Sequence, residues 1–246
     1  MKASVLEFRF RLLLMTLVIV LGFSAPWIEL LHWGTRATTW LWLGFELGGL
    51  GMSSTSGIQL ATVLMIALAA AAAAVRVWGT AYLGIGTVNN KAMKAGFVLA
   101  DGPYRHVRNP LYIGSWLMVA AIAVLMPPTG ALFTMVVLSV FLFRLILGEE
   151  AFLSAQLGEP YAIYKKAVPR LIPSIRARLA SGGGSANWTG ALLGEIMPLG
   201  LLVSYAALSW QYNASLLTRA VLVSFGLSLV VRALILPQSE AHRATT

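Results

Sequence analysis

Cysteine is absent from the chain, which excludes a disulfide, a thiolate metal site and a cysteine nucleophile. Histidine is scarce. His32, His106 and His242 are the full set, and none has a second ligand at metal-binding spacing, so no metal is expected. Charge is also thin on the ground: 11% of residues are charged and 58% apolar, against about 25% and roughly 45 to 50% in soluble domains. That balance excludes an ordinary soluble fold. Acidic residues number 9 against 18 basic ones, a net charge of +9. Basic surfaces can bind nucleic-acid phosphates, but here the basic residues sit in short clusters between apolar runs. Charge bias across a membrane explains them, and no nucleic acid is expected.

What the chain has in place of charge is long apolar runs. A membrane-spanning helix needs about 20 apolar residues, and the runs at 12–31, 58–78, 111–126, 130–147, 188–210 and 216–236 supply about six. The expected fold class is therefore all-α, a polytopic transmembrane helical protein. The first run also has the look of a secretory signal, but Pro26 after Ser24-Ala25 disfavours cleavage there. Residues 32–57, with Trp33, Trp40 and Trp42 among glycines and serines, suggest an outer loop holding a short interfacial helix. Small residues from Ala69 to Ala74 would let a neighbouring helix approach, so that face is expected to pack on protein. Pro127-Pro128 joins the third and fourth runs into a tight antiparallel hairpin, and Pro198 is placed to kink the fifth. Ser181-Gly182-Gly183-Gly184-Ser185 has the composition of a flexible linker. The organisation expected is an N-terminal membrane region (1–75), a core (76–178), a linker (179–187) and a C-terminal helix pair (188–246).

Orientation follows from the placement of positive charge. With the N-terminus inside and six spans, Arg36 and Arg219 fall outside and the other 16 lysines and arginines lie at or near the cytoplasmic side. Both termini and both polar segments, 79–110 and 148–178, then share the cytoplasmic face.

Those two polar segments hold the candidate chemistry. Asp101-Gly102-Pro103-Tyr104-Arg105-His106-Val107-Arg108-Asn109-Pro110-Leu111-Tyr112 immediately precedes a membrane helix. A basic flank explains part of it, but a histidine, an asparagine and two tyrosines exceed what anchoring needs. Glu149-Glu150 closes the fourth run, where carboxylates oppose the negative end of the helix dipole and need compensation. That compensation is either an ion pair with Arg144 or Arg105, or a ligand offering hydroxyls or an ammonium group. Leu83-Gly84-Ile85-Gly86 permits close backbone approach to a ligand but equally ends a helix. With no strand before it, it is no dinucleotide fingerprint. Tyr161, Tyr164, Lys165 and Lys166 fit an amphipathic surface helix.

Taken in order, Gly102-Pro103-Tyr104-Arg105, Arg108-Asn109-Pro110-Leu111-Tyr112-Ile113-Gly114, a hairpin, Glu149-Glu150, Tyr161-Ala162-Ile163-Tyr164 and Val168-Pro169-Arg170-Leu171-Ile172-Pro173 resemble the isoprenylcysteine carboxyl methyltransferase and phospholipid methyltransferase family. The resemblance covers residues 76–173. It implies S-adenosyl-L-methionine as cofactor, held in a pocket at the cytoplasmic face, and a membrane lipid or other lipophilic methyl acceptor reached through the bilayer. Carried onto this sequence, it implies cofactor contacts from Gly84, Gly86, Tyr104, His106, Arg108, Tyr112, Glu149, Glu150, Tyr161 and Arg170, with Arg108, His106 and Asn109 nearest the chemistry. Asn109 stands where the family usually has histidine, which keeps a donor and loses a titratable base. Ala167 stands where prenylcysteine enzymes tend to be basic. A carboxylate beside lipid needs a cationic partner, so the second departure favours an amine, thiol or other headgroup.

Two other classes compete: an NADPH-dependent membrane reductase similar to the sterol reductases, and a non-enzymatic transporter or scaffold. Ten spans would suit the reductase better than six. A transporter is expected to show internal repeats or charged residues at mid-bilayer, and neither stands out in the sequence.

Overall fold

The computed structural model describes residues 2–84 and 100–243, with side chains as far as 234. Among the described residues every regular element is a helix and none is a strand. Hydrocarbon imposes this, because a helix satisfies its backbone polar groups within its own segment. Helices α1 (Val5–Arg9), α2 (Arg11–Ser24), α3 (Trp27–Leu31) and α4 (Thr39–Gly49) lead into the long α5 (Ser54–Leu83). A 3-10 turn (Gly102–Arg105) then precedes α6 (Pro110–Ala123), α7 (Pro128–Leu157), α8 (Glu159–Ala167), α9 (Trp188–Gly194), α10 (Ile196–Leu208) and α11 (Ala214–Arg243).

The protein is an integral membrane protein. Helices α5, α7 and the Ala214–Leu234 part of α11 are long and apolar enough to cross a bilayer, and α9 with the stretch Ile196–Gln211 qualifies as a pair bent by 72°. The six apolar runs thus resolve into three straight helices of spanning length, one bent pair, and two apolar helices of 14 residues, α2 and α6. At 1.5 Å per residue each short helix measures about 21 Å, less than the roughly 30 Å hydrocarbon core. The first run is not the continuous span expected. It stops at Ser24, where Ala25 turns left-handed (φ 35°) before Pro26, because proline has no N–H to donate and pushes its predecessor out of the helical region. The fifth run breaks at Glu195, three residues before Pro198.

Packing relies on small residues where helices cross. A Cβ on Gly130 of α7 would sit 2.0 Å from the Gly22 carbonyl oxygen of α2, and one on Gly57 of α5 would sit 2.2 Å from the Gly44 oxygen of α4. Along α5, Ala61, Met65, Ala69, Ala72, Ala73 and Arg76 are buried, a stripe at three- and four-residue spacing that faces protein. Helix α4 is no loose interfacial piece, since its Trp40 is buried and donates its indole N–H to Thr62 at 3.0 Å.

Helices α6 and α7 form the expected antiparallel hairpin. Trp116 donates to Ser139 at 2.9 Å and Tyr112 to Glu149 at 2.8 Å, so residue numbers rise along one helix as they fall along the other. The fourth run differs in one respect: α7 continues past residue 147 to Leu157. Glu149 and Glu150 therefore stand within the helix, away from its negative end, and the dipole no longer sets their environment. At the N-terminus, Glu7 accepts from Arg144 (2.9 and 3.0 Å) and from the Ser4 N–H (2.6 Å). These bonds hold its carboxyl down at about 2 and fasten α1 to α7.

The Gly44–Gly57 crossing predicts that Gly57→Val lowers stability by about 1–3 kcal/mol, the usual cost of overpacking, read as thermal unfolding in detergent. Gly226→Ala, where an added Cβ meets nothing within 4 Å, is expected to leave the midpoint unchanged or raised. Equal midpoints for the two variants would refute the close crossing.

Candidate active site

The two polar segments meet beside the open end of the α6–α7 hairpin, joined first by backbone. Arg108 N donates to Pro169 O, Ser174 N to His106 O and Arg178 N to Arg105 O, each at 2.9 Å. Glu150, 4% exposed, then ties the segments together through its side chain. Its Oε1 accepts from Arg108 Nε at 3.1 Å and Asn109 Nδ2 at 3.2 Å, and its Oε2 from Arg170 Nη2 at 2.9 Å. A carboxylate this deep is tolerable only when paired and hydrogen-bonded, and two arginines and an amide meet that condition. Its partners are Arg108 and Arg170. Arg144 is engaged with Glu7, and Arg105 donates to the Leu179 carbonyl.

Arg108 does more than neutralise Glu150. Its Nη1 donates to the carbonyls of Lys165 (2.5 Å) and Val168 (3.2 Å), which binds the end of α8 to the start of α6. Asn109 Nδ2 also donates to Arg170 O at 3.2 Å. Asn109 thus acts as a strut between the two segments.

Beside this cluster lies a cavity of about 380 Å³, inside the roughly 300–1,000 Å³ span of small-molecule sites. Tyr104, Arg108, Asn109, Tyr112, Glu149, Glu150 and Tyr161, all expected at the site, line its wall. Glu149 accepts from the Tyr112 hydroxyl at 2.8 Å and feels the positive charge of Arg11, which lines the same cavity. The Tyr104 hydroxyl is buried without a partner. Burial drives its pKa well up, as it does that of Tyr161, so each phenol stays a protonated donor.

Three expected residues stand elsewhere. His106 Nδ1 lies 2.8 Å from the Ser174 carbonyl and its ring packs 5.9 Å from Trp78, away from the cavity wall. Arg170 reaches Glu150 from outside the cavity. Gly84 caps α5 with φ 85° and is off the wall, and Gly86 lies outside the described residues.

Residues 54–160 match the phospholipid methyltransferase family. No curated protein and no solved structure matches the chain. The family is one of membrane methyltransferases, and the matched segment contains Tyr104, Arg108, Asn109, Tyr112, Glu149 and Glu150. Tyr161 and Arg170 lie just beyond it.

Two further polar centres escape a reading of the sequence. Glu195, 0% exposed, pairs with Arg76 (Nε–Oε2 2.6 Å, Nη2–Oε1 2.9 Å) and accepts from Thr80 at 2.6 Å, and both charged residues reach the cavity. A buried charge thus stands inside the C-terminal apolar run. The signal was present as one lone acid in that run and one lone arginine in the α5 run. The second centre is Asp101, buried, which accepts from Ser181 Oγ (2.6 Å), Gly182 N (2.8 Å) and Gly184 N (3.0 Å). The glycine stretch with the composition of a free linker is thus fastened to the site segment. A Cβ on Gly184 would lie 2.8 Å from Asp101 Oδ2, which makes glycine a requirement there.

The Ser181 hydroxyl, then the Gly184 N–H, hold the Asp101 carboxyl below its usual range. A folded pKa below the unfolded value of about 3.9 gives stability that is fully present above that pH and lost as pH falls through the folded value. Asp101→Asn is therefore expected to expose residues 181–185 to proteinase K at pH 7, where the parent resists. In the parent, cleavage by pepsin in this stretch is expected to rise only below pH ~4. Equal cleavage of variant and parent at pH 7 would show that the tie does not hold the loop.

Proposed function

We propose that this protein transfers the methyl group of S-adenosyl-L-methionine to a lipophilic acceptor, a lipid amine or thiol before a prenylcysteine-like carboxylate, at the cytoplasmic face of the membrane. The observation that carries the reading is the cavity itself. It is lined by apolar side chains of the helices together with Glu149, Tyr104 and Arg108. These donors and acceptors suit a ligand that bears hydroxyls, an ammonium group and a carboxylate.

The cofactor when bound supplies an electrophilic methyl on a sulfonium. The chain's own contribution is alignment and exclusion of water, which can account for a large part of such a barrier without a covalent enzyme intermediate. Glu149, on the cavity lining beside Tyr112, is the acceptor for ammonium or ribose hydroxyls. Glu150 belongs to the frame, holding Arg108, Asn109 and Arg170 in register. With Arg108 Nε and Nη1 taken by Glu150 and two carbonyls, a cofactor carboxylate meets Nη2 in place of a bidentate fork. His106, on the Ser174 carbonyl, positions the 169–178 segment.

Calorimetric titration of the detergent-purified protein with S-adenosylhomocysteine is expected to show saturable binding, and NADPH none. Glu149→Gln is expected to weaken that binding about tenfold or more, the worth of a charge-assisted hydrogen bond, with an unchanged thermal midpoint. Glu150→Gln and Arg108→Ala are expected to lose binding together with a lowered midpoint. Binding of NADPH alone would move the protein to the reductases. Full affinity in all three variants would remove the assigned roles.

A further inference from the structure

Helices beyond the matched segment supply much of a second polar part of the cavity lining. On α11, Phe225, Ser228, Leu229 and Arg232 line it, at the three- and four-residue spacing that marks one helix face. From the bent pair come Glu195, at the break itself, and Pro198. The charges at this end are unevenly satisfied. Glu195 is neutralised by Arg76, whose remaining Nη1 donates to Ser115 Oγ at 2.7 Å. Arg232 Nε, by contrast, is buried without a hydrogen-bond partner, and no ion pair to Arg232 occurs among the described residues.

A buried guanidinium N–H without an acceptor is costly, and guanidinium is the side chain best matched to carboxylate and phosphate. The surrounding wall is apolar: Phe225 and Leu229 flank Arg232 on its own helix, with Met197 and Pro198 on α10 also at the cavity. A small hydrophilic anion gains nothing from that wall, whereas an anionic headgroup carrying an alkyl chain satisfies both parts of it.

We propose that Arg232, backed by the Arg76–Glu195 pair, is the headgroup subsite for an acceptor that carries an anionic group on an apolar chain, and that the C-terminal helix pair exists in this protein to supply it. The proposal rests on the methyl-transfer reading for the word acceptor, but the binding site it describes can be tested without turnover. The Arg76–Glu195 pair fixes the break between α9 and α10, which places Pro198 and Met197 at the cavity. Arg232 makes the direct contact and sets specificity for charge.

The test uses the full-length protein in maltoside micelles, with thermal stabilisation as the readout and three probes: dodecyl phosphate, dodecyltrimethylammonium and inorganic phosphate. Dodecyl phosphate is expected to raise the midpoint saturably, and the other two to have little effect. Arg232→Gln is expected to weaken dodecyl phosphate about tenfold or more, and Arg232→Lys, which keeps the charge, to recover most of it. S-adenosylhomocysteine binding is expected to be the same in all three proteins, which also establishes that the variants are folded. Equal response to the cationic probe, or undiminished dodecyl phosphate affinity in Arg232→Gln, would overturn the subsite. Inorganic phosphate binding as tightly as dodecyl phosphate would overturn the lipid occupant. Loss of S-adenosylhomocysteine binding in Arg232→Gln would assign the arginine to the cofactor instead. Failure of S-adenosylhomocysteine to bind the parent, with the dodecyl phosphate results intact, would sink the methyl-transfer reading and leave the anionic subsite standing.

Discussion

The pairing of Glu150 with Arg108, Asn109 and Arg170 is the interaction on which the site depends. One carboxylate on a membrane helix gathers three donors from two segments some sixty residues apart in sequence, as the Arg108–Val168 contact illustrates. Without those donors, a charge this buried would be untenable. Without the charge, the donors would have no common target. Tyr104, Tyr161 and Tyr164 line the cavity beside the clamp, and the adjacent Glu149 accepts from Tyr112. The two adjacent glutamates both line the cavity but take different partners, three donors for Glu150 and the Tyr112 hydroxyl for Glu149.

A second buried pair, Arg76 with Glu195, plays the same part for the C-terminal helices. A lone charge in an apolar bundle is expensive, and two of opposite sign from different helices fix their relative position. Here the pair sits at the 72° break between α9 and α10, where Pro198 leaves the preceding turn one donor short. The C-terminal pair is thereby tied to the core by specific polar contacts as well as by the packing of Leu201, Tyr205 and Leu217. Asp101 does the equivalent for the glycine-rich connection, with the amides of Gly182 and Gly184 and the Ser181 hydroxyl as its donors.

The membrane class, the all-helical fold, the hairpin at Pro127-Pro128 and the resemblance to the matched family were legible in the sequence, because hydrophobic run length, proline placement and ordered short motifs act locally. The details that depend on which groups end up adjacent were not. Glu149 and Glu150 read as alternatives for one role until the structure gave three donors to one and a tyrosine to the other. His106 read as a titratable group at the chemistry, yet its imidazole faces the Ser174 carbonyl. The expected linker read as free because composition describes an isolated chain and carries nothing of the carboxylate waiting to bind it.

What the sequence determined by itself was the solvent this protein lives in and the kind of backbone that survives there, since low charge and long apolar runs leave the helix as the way to satisfy peptide groups. What only the tertiary structure decided was the division of labour among its few charged residues. Glu150 with Arg108, and Glu195 with Arg76, form buried pairs, while the Arg232 Nε is buried without a partner among the described residues. In a low-dielectric interior the fate of a charge is set by its nearest partners, and those partners come from distant parts of the chain.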